Sequence, residues 1–149
     1  MILLAHLLFG AVIASYIKNP ILAIILTFLS HYLLDFIPHA EYPIKNISEK
    51  DWKKSLPDFL KILVDFTTGA VLIFIFSAKT PIIFICAFFA ILPDGLTVLS
   101  AIFPNRFLAM HNFVHSKKIH VLKTKKISNF WRILSQAIIV MFSIILLKF

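Results

Sequence analysis

Apolar residues along this chain gather into five runs separated by polar connections, and each run is long enough, or nearly long enough, to cross a bilayer as a helix. The runs are Ile2 to Ile17, Ile21 to Ile37, Phe59 to Ser77, Pro81 to Leu99 and Phe130 to Leu147. They predict an all-α integral membrane bundle of about five transmembrane helices with interfacial helical connections. The first two runs are short and joined by a tight turn at Lys18-Asn19-Pro20, which reads as a helical hairpin. Ser55 and Pro57 precede the third run, and Thr80-Pro81 offers a cap and a first-turn proline for the fourth. Pro38 and Pro93 lie near the ends of the second and fourth runs, where a broken helix would expose backbone groups to a polar cavity.

Composition supports the membrane reading. Hydrophobic residues make up 60% of the 149 positions, and the mean hydropathy of +0.92 lies far outside the range of soluble domains. That length suits one small transmembrane domain, residues 1–149, with no room for a separate soluble one. The net charge of +8 is carried mostly between the runs and at their ends. It therefore reads as topology and contact with anionic headgroups, not as nucleic-acid binding.

Two connections are strongly basic: His39 to Asp58, with Trp52 as an interfacial anchor, and Ser100 to Asn129. With five spans, both fall on the side of the N-terminus, which the positive-inside rule makes cytoplasmic in a multi-pass cell-membrane protein, leaving the C-terminus outside. The first run lacks a basic leader and a small-residue cleavage site, so it reads as a retained helix. The single cysteine, Cys86, lies in an apolar run and excludes an intrachain disulfide.

Against this background the titratable residues stand out. The ten residues Ser30-His31-Tyr32-Leu33-Leu34-Asp35-Phe36-Ile37-Pro38-His39 put His31 and Asp35 four apart, on one helical face. A carboxylate in a spanning segment costs roughly 2.5–3.5 kcal/mol at mid-bilayer, so Asp35 implies a compensating metal, cation or proton. His6, His31, Asp35, His39, Asp65, Asp94, His111 and His115 all fall in one leaflet on the five-span topology. Imidazoles mixed with carboxylates suit zinc or another transition metal, one to three ions in number. His111 and His115 repeat the spacing of four by which a helix offers two ligands to one metal.

Plainer readings exist residue by residue. His6 and His39 could be interfacial or solvated, and Lys61 could neutralise Asp65 from one turn away. Asp94 could be a turn residue capping a broken helix. His120, among lysines, reads as a surface residue. The basic segment from Lys117 to Lys126, continuing to Trp131 and Arg132, reads as an interfacial stretch on anionic lipid or a rim that gathers phosphate.

Ala5-His6-Leu7-Leu8, the His31-to-His39 stretch, Leu92-Pro93-Asp94 and His111 with His115-Ser116 together resemble the small bacterial and archaeal membrane-bound metal-dependent hydrolases. That group is itself similar in ligand pattern to zinc-dependent phospholipase C and the P1-type nucleases. The resemblance matches His31, Asp35 and His39 to the His-x3-Asp pair and following His of the phospholipase group. It departs at the histidine pair, spaced here by four where five is expected, and at the missing His after Leu-Pro-Asp.

The residues and the resemblance lead to an expected function: metal-dependent hydrolysis of a phosphoester, with a phospholipid headgroup as one candidate substrate, by metal-activated water. The expected ligands are His31, Asp35, His39, Asp94, His111 and His115, with His6 as a further candidate. Asp35 and Asp65 are the candidate catalytic carboxylates, Asp65 either as a ligand or as the base that orients water. The rivals are a cation- or proton-coupled transporter using the three aspartates, and a non-catalytic membrane scaffold.

Overall fold

Proline and asparagine set most of the helix starts. The computed structural model describes residues 2–103, 105–119 and 127–149; the expectations for His120 and for most of the Lys117–Lys126 segment lie outside them. The first helix, α1 (Leu3–Tyr16), ends before the Lys18-Asn19-Pro20 turn. Asn19 Oδ1 accepts from Leu22 N–H at 3.1 Å and Pro20 supplies a preset φ, opening α2 (Pro20–Phe36). The first basic connection holds a short helix, α3 (Lys45–Ser48), and a 3-10 turn at Trp52–Lys54.

Pro57 and Pro81 sit in the first turns of α4 (Leu56–Phe76) and α5 (Pro81–Ile102). Ser55 and Thr80 occupy the N-cap positions there, but neither hydroxyl makes a capping bond. Asn105 caps α6 (Arg106–Val114) through Phe107 N–H at 2.8 Å, and the chain continues into a π-helical turn, His115–Ile119. The last helix is α7 (Asn129–Lys148). The described residues contain no strand, so the expected all-α class holds.

Among the described residues three helices, α4, α5 and α7, are long and apolar enough to cross a membrane. The five expected crossings are not reached. At 14 and 17 residues, α1 and α2 are apolar but extend only about 21 and 25 Å against a hydrocarbon core of about 30 Å. Their lengths are limited at both ends, by the Asn19-Pro20 turn they share, by Asp65 at the start of α1 and by Pro38 after α2.

The expected hairpin partners do touch, but α1 is the centre of the whole bundle, contacting α2, α4, α5 and α7, with its broadest contact on α5. It is buried almost all round, from Ala5 to Ala14, as a helix with apolar residues on every face must be. Close approach depends on small residues. A Cβ on Gly10 would lie 2.7 Å from Ala90 Cβ and 3.1 Å from Cys86 O, so α1 and α5 meet there at backbone distance. A Cβ on Gly69 would overlap the Leu7 side chain.

Gly69 beside Leu7 and Asp65 beside Leu3 show that α1 and α4 run side by side in the same direction. Because α1 starts at the level of Asp65, the first two and a half turns of α4, roughly 14 Å of helix, extend beyond it. Pro93 does not break α5, which is continuous through it. Asp94 is therefore inside a helix, and the plainer alternative of a turn residue capping a broken helix does not hold.

Candidate metal centre

The centre lies where α1, α2, α5 and the turn after α6 converge, with Asp35 in the middle. Helical spacing on α2 brings His31 and Asp35 to one face, as expected. Asp35 Oδ2 is 3.0 Å from His31 Nε2 and 2.9 Å from His115 Nε2, and those two nitrogens are 3.0 Å apart. Asp94 Oδ1 stands 3.7 and 3.9 Å from the same nitrogens. All four ligand atoms lie within 4.8 Å of one another, and this group could hold a metal ion. His31, Asp35 and His115 are buried, while Asp94 is partly open.

The outer nitrogens of the rings fix the direction in which the inner ones act. His31 Nδ1–H donates to the Ala90 carbonyl at 2.7 Å, one residue beyond the carbonyl that Pro93 deprives of its helical N–H. Thr97 Oγ1–H donates to the Pro93 carbonyl at 3.2 Å and leaves its oxygen to accept from His115 Nδ1–H at 3.1 Å. With Nδ1 protonated in both rings, a neutral imidazole turns a bare Nε2 lone pair inward. Two such lone pairs and a carboxylate oxygen, mutually about 3 Å apart, repel one another unless a proton or a metal cation lies among them.

The donor set fits a divalent ion. Zinc bonds of 2.0–2.1 Å in a tetrahedron give ligand–ligand edges of roughly 3.3–3.4 Å, between the short and long separations found here. Imidazole nitrogens favour zinc, copper, iron or nickel over magnesium or calcium.

The other expected ligands fall into different surroundings. His6, wholly buried on α1, faces Asp35 Oδ1 through Nε2 at 3.1 Å and stacks on His31 with centroids 4.2 Å apart. Its Nδ1 has no hydrogen-bond partner among the described residues. The ring therefore carries its proton on Nε2 and donates to Asp35, holding the carboxylate instead of offering a lone pair. His39 lies just beyond the end of α2. Its Nδ1–H donates to Ile37 O at 2.6 Å, and its Nε2 is 3.1 Å from Glu41 Oε1 and 3.9 Å from Asp35 Oδ1.

His111 stacks on His115 but turns its Nε2 to the Tyr32 hydroxyl at 3.2 Å, so the expected pair delivers one ring to the group and not two. Burial, reinforced by His115 and His31, pushes His111 below the usual imidazole range. Asp65 is not brought into the group. Its oxygens accept from Leu3 N–H at 2.6 Å and Leu4 N–H at 3.3 Å, capping α1 from a neighbouring helix. Lys61 does not neutralise it; that ammonium bonds Asp58 Oδ1 and the Pro43 carbonyl, both at 3.0 Å.

Sequence reasoning passed over Thr97, Glu41, Tyr32 and Tyr42. Thr97 could have been flagged as the residue four beyond Pro93, and Glu41 as the acidic residue two beyond His39. The phenol of Tyr42 is pushed above the usual range by burial and then by the Asp65 charge.

Beside the centre lies a cleft of about 1080 Å³ between α4, α5 and the first basic connection, lined by Asp94 and His115 at the centre and by Phe59, Leu63 and Val98 away from it. Compared with known protein families, with curated proteins and with solved structures, the chain has no match in any of the three.

Proposed function

We propose that this protein is a membrane-embedded, metal-dependent hydrolase of a phosphoester. The observation that supports it most is the inward-facing pair of His31 and His115 Nε2 atoms, each ring held by a bond at Nδ1, meeting Asp35 and Asp94 beside a cleft. Histidine ligands oriented in this way by outer partners are the pattern of metal centres. Four protein groups would hold the ion, so substrate or water would enter by displacing Asp94, or adding beside it, on its partly open side.

His31, Asp35, Asp94 and His115 would hold the ion. When bound there, a zinc-type ion supplies Lewis-acid polarisation of a phosphoryl oxygen and a lowered pKa for water. His6 fixes Asp35 through Oδ1, and Thr97 and the Ala90 carbonyl fix the two imidazoles. Glu41 lines the cleft and bonds His39; it is the carboxylate near the centre suited to take a proton from attacking water. Asp65, engaged by the α1 terminus, supports the scaffold in this reading.

The five apolar helices form one bundle in the membrane, with the short α1 at its centre and α2 at its edge, packed on α1 and α5 and turning an apolar face outward. The lysine-rich connections favour a cytoplasmic side for the centre.

Metal content by mass spectrometry tests the reading, on detergent-purified wild type beside an Asp35→Ala/His115→Ala double variant that remains folded. We expect at least about one zinc or manganese per wild-type chain, lost in the variant together with release of alcohol or phosphate from a phosphoester panel. A wild type that is metal-free and cannot be reconstituted overturns it.

A further inference from the structure

The cleft beside the centre has two unlike walls. One is the stripe Leu56, Phe59, Leu60, Leu63 and Phe66 on α4, recurring at helical spacing. The other carries Glu41, Tyr42, Asn112 and His115 and leads to Asp94. All of the apolar wall but Phe66 belongs to the part of α4 that extends past the start of α1, and its side chains are open: Leu56 is 66% exposed and Leu63 57%.

In water, that stripe would be an uncompensated apolar surface. Hydrocarbon is its natural surrounding, because α4 is long and apolar enough to cross from Leu56 onward. The uncovered part of the helix measures roughly 14 Å, which is about half of a 30 Å hydrocarbon core and so the depth of one leaflet. Helix α6, which contributes Asn112 to the cleft, also exposes apolar side chains, Phe107 at 78% and Met110 at 62%. Such a helix suits the membrane interface.

We infer that the α4–α5 cleft is a lateral port from the bilayer, in which one hydrocarbon chain of a membrane phospholipid lies along the α4 stripe, its head at the mouth formed by the first basic connection and its end toward the level of Asp94. The inference does not rest on the proposed hydrolase; occupancy of the port stands independently.

Gly95 provides the means of testing it. It lines the cleft on α5 next to Asp94, and a Cβ there would meet nothing within 4 Å. Alanine is thus tolerated and favours the helix over glycine, whereas the longer side chain of leucine would take up space in the port.

The protein is placed in nanodiscs of phosphatidylethanolamine and phosphatidylglycerol containing a small fraction of phosphatidylglycerol with a diazirine at the end of one acyl chain. After photolysis, labelling is mapped by peptide mass spectrometry. Labelling at Phe59, Leu63 and Phe66 is expected to exceed that at the outward-facing Phe142 of α7 at least about fivefold. In Gly95→Leu it falls to the Phe142 level, and in Gly95→Ala it is retained. Cleft labelling no stronger than at Phe142, or unaffected by Gly95→Leu, overturns the port. Metal content and hydrolysis do not enter this readout, so a failed port and a failed hydrolase give different results.

Discussion

Replacing Thr97 by valine removes one hydroxyl and keeps the volume and β-branching of the side chain. In the native protein that oxygen lies 3.1 Å from Nδ1 of His115, a ring only 3% exposed. Without it the ring has two options. It can keep its proton on Nδ1 with no acceptor, at a cost of about 1–3 kcal/mol for an unsatisfied buried donor. Alternatively it can move the proton to Nε2 and cover the lone pair that faces Asp35.

Either way the centre binds an ion less well. Loss of the outer partner of a metal-binding histidine typically lowers affinity about 10–100-fold, which is about 1.4–2.8 kcal/mol, in line with the cost of the stranded donor. The assay is zinc competition against a chromophoric chelator in detergent at one pH, with His115→Ala marking complete loss of the ligand. Thr97→Ser, which restores the acceptor, should return within about threefold of wild type. A valine variant that binds zinc as tightly as wild type, or a serine variant as weak as valine, refutes the orientation argument.

Three further outcomes follow from the packing. Asp65→Asn keeps an acceptor at the start of α1 but removes the charge at a helix N-terminus, so it should cost about 1 kcal/mol and lower the thermal midpoint with metal content unchanged. Loss of metal at full stability would instead make Asp65 a ligand. Gly10→Val forces α1 from α5, where even a Cβ would stand 2.7 Å from Ala90 Cβ; a loss of about 1–3 kcal/mol is expected in thermal denaturation, and an unchanged midpoint would contradict the packing. Tyr42 ionises late, because burial and the Asp65 carboxylate both oppose the phenolate. Ultraviolet titrations of wild type and Tyr42→Phe should therefore coincide through about pH 10 and separate only above it; separation below that pH contradicts the burial of Tyr42 beside the Asp65 charge.

Helix content and type follow from local rules. Apolar runs, first-turn prolines at Pro20, Pro57 and Pro81, and the Asn19 cap define most of the helices without reference to neighbours. So does the pairing of His31 with Asp35, which needs only 3.6 residues per turn. Where local rules ran out, distance in sequence was the reason. Lys61 is one turn from Asp65 and also one turn from Asp58; the fold decided for Asp58, because the N-terminus of α1 arrives at Asp65 with two unsatisfied N–H groups.

The number of helices able to cross was also hard to read, since hydropathy marks apolar residues whether lipid or protein surrounds them. The short α1 is apolar because it is the core of the bundle. His111 and His115 look equivalent in sequence, and only the π-helical turn after α6, together with Tyr32, sends one inward and the other aside. Composition and spacing alone determined that this is an apolar, helical protein with a His31–Asp35 face. Tertiary structure decided which residues join that face, because lone pairs are aimed by partners such as Ala90 and Thr97, brought in from a helix some sixty residues along the chain.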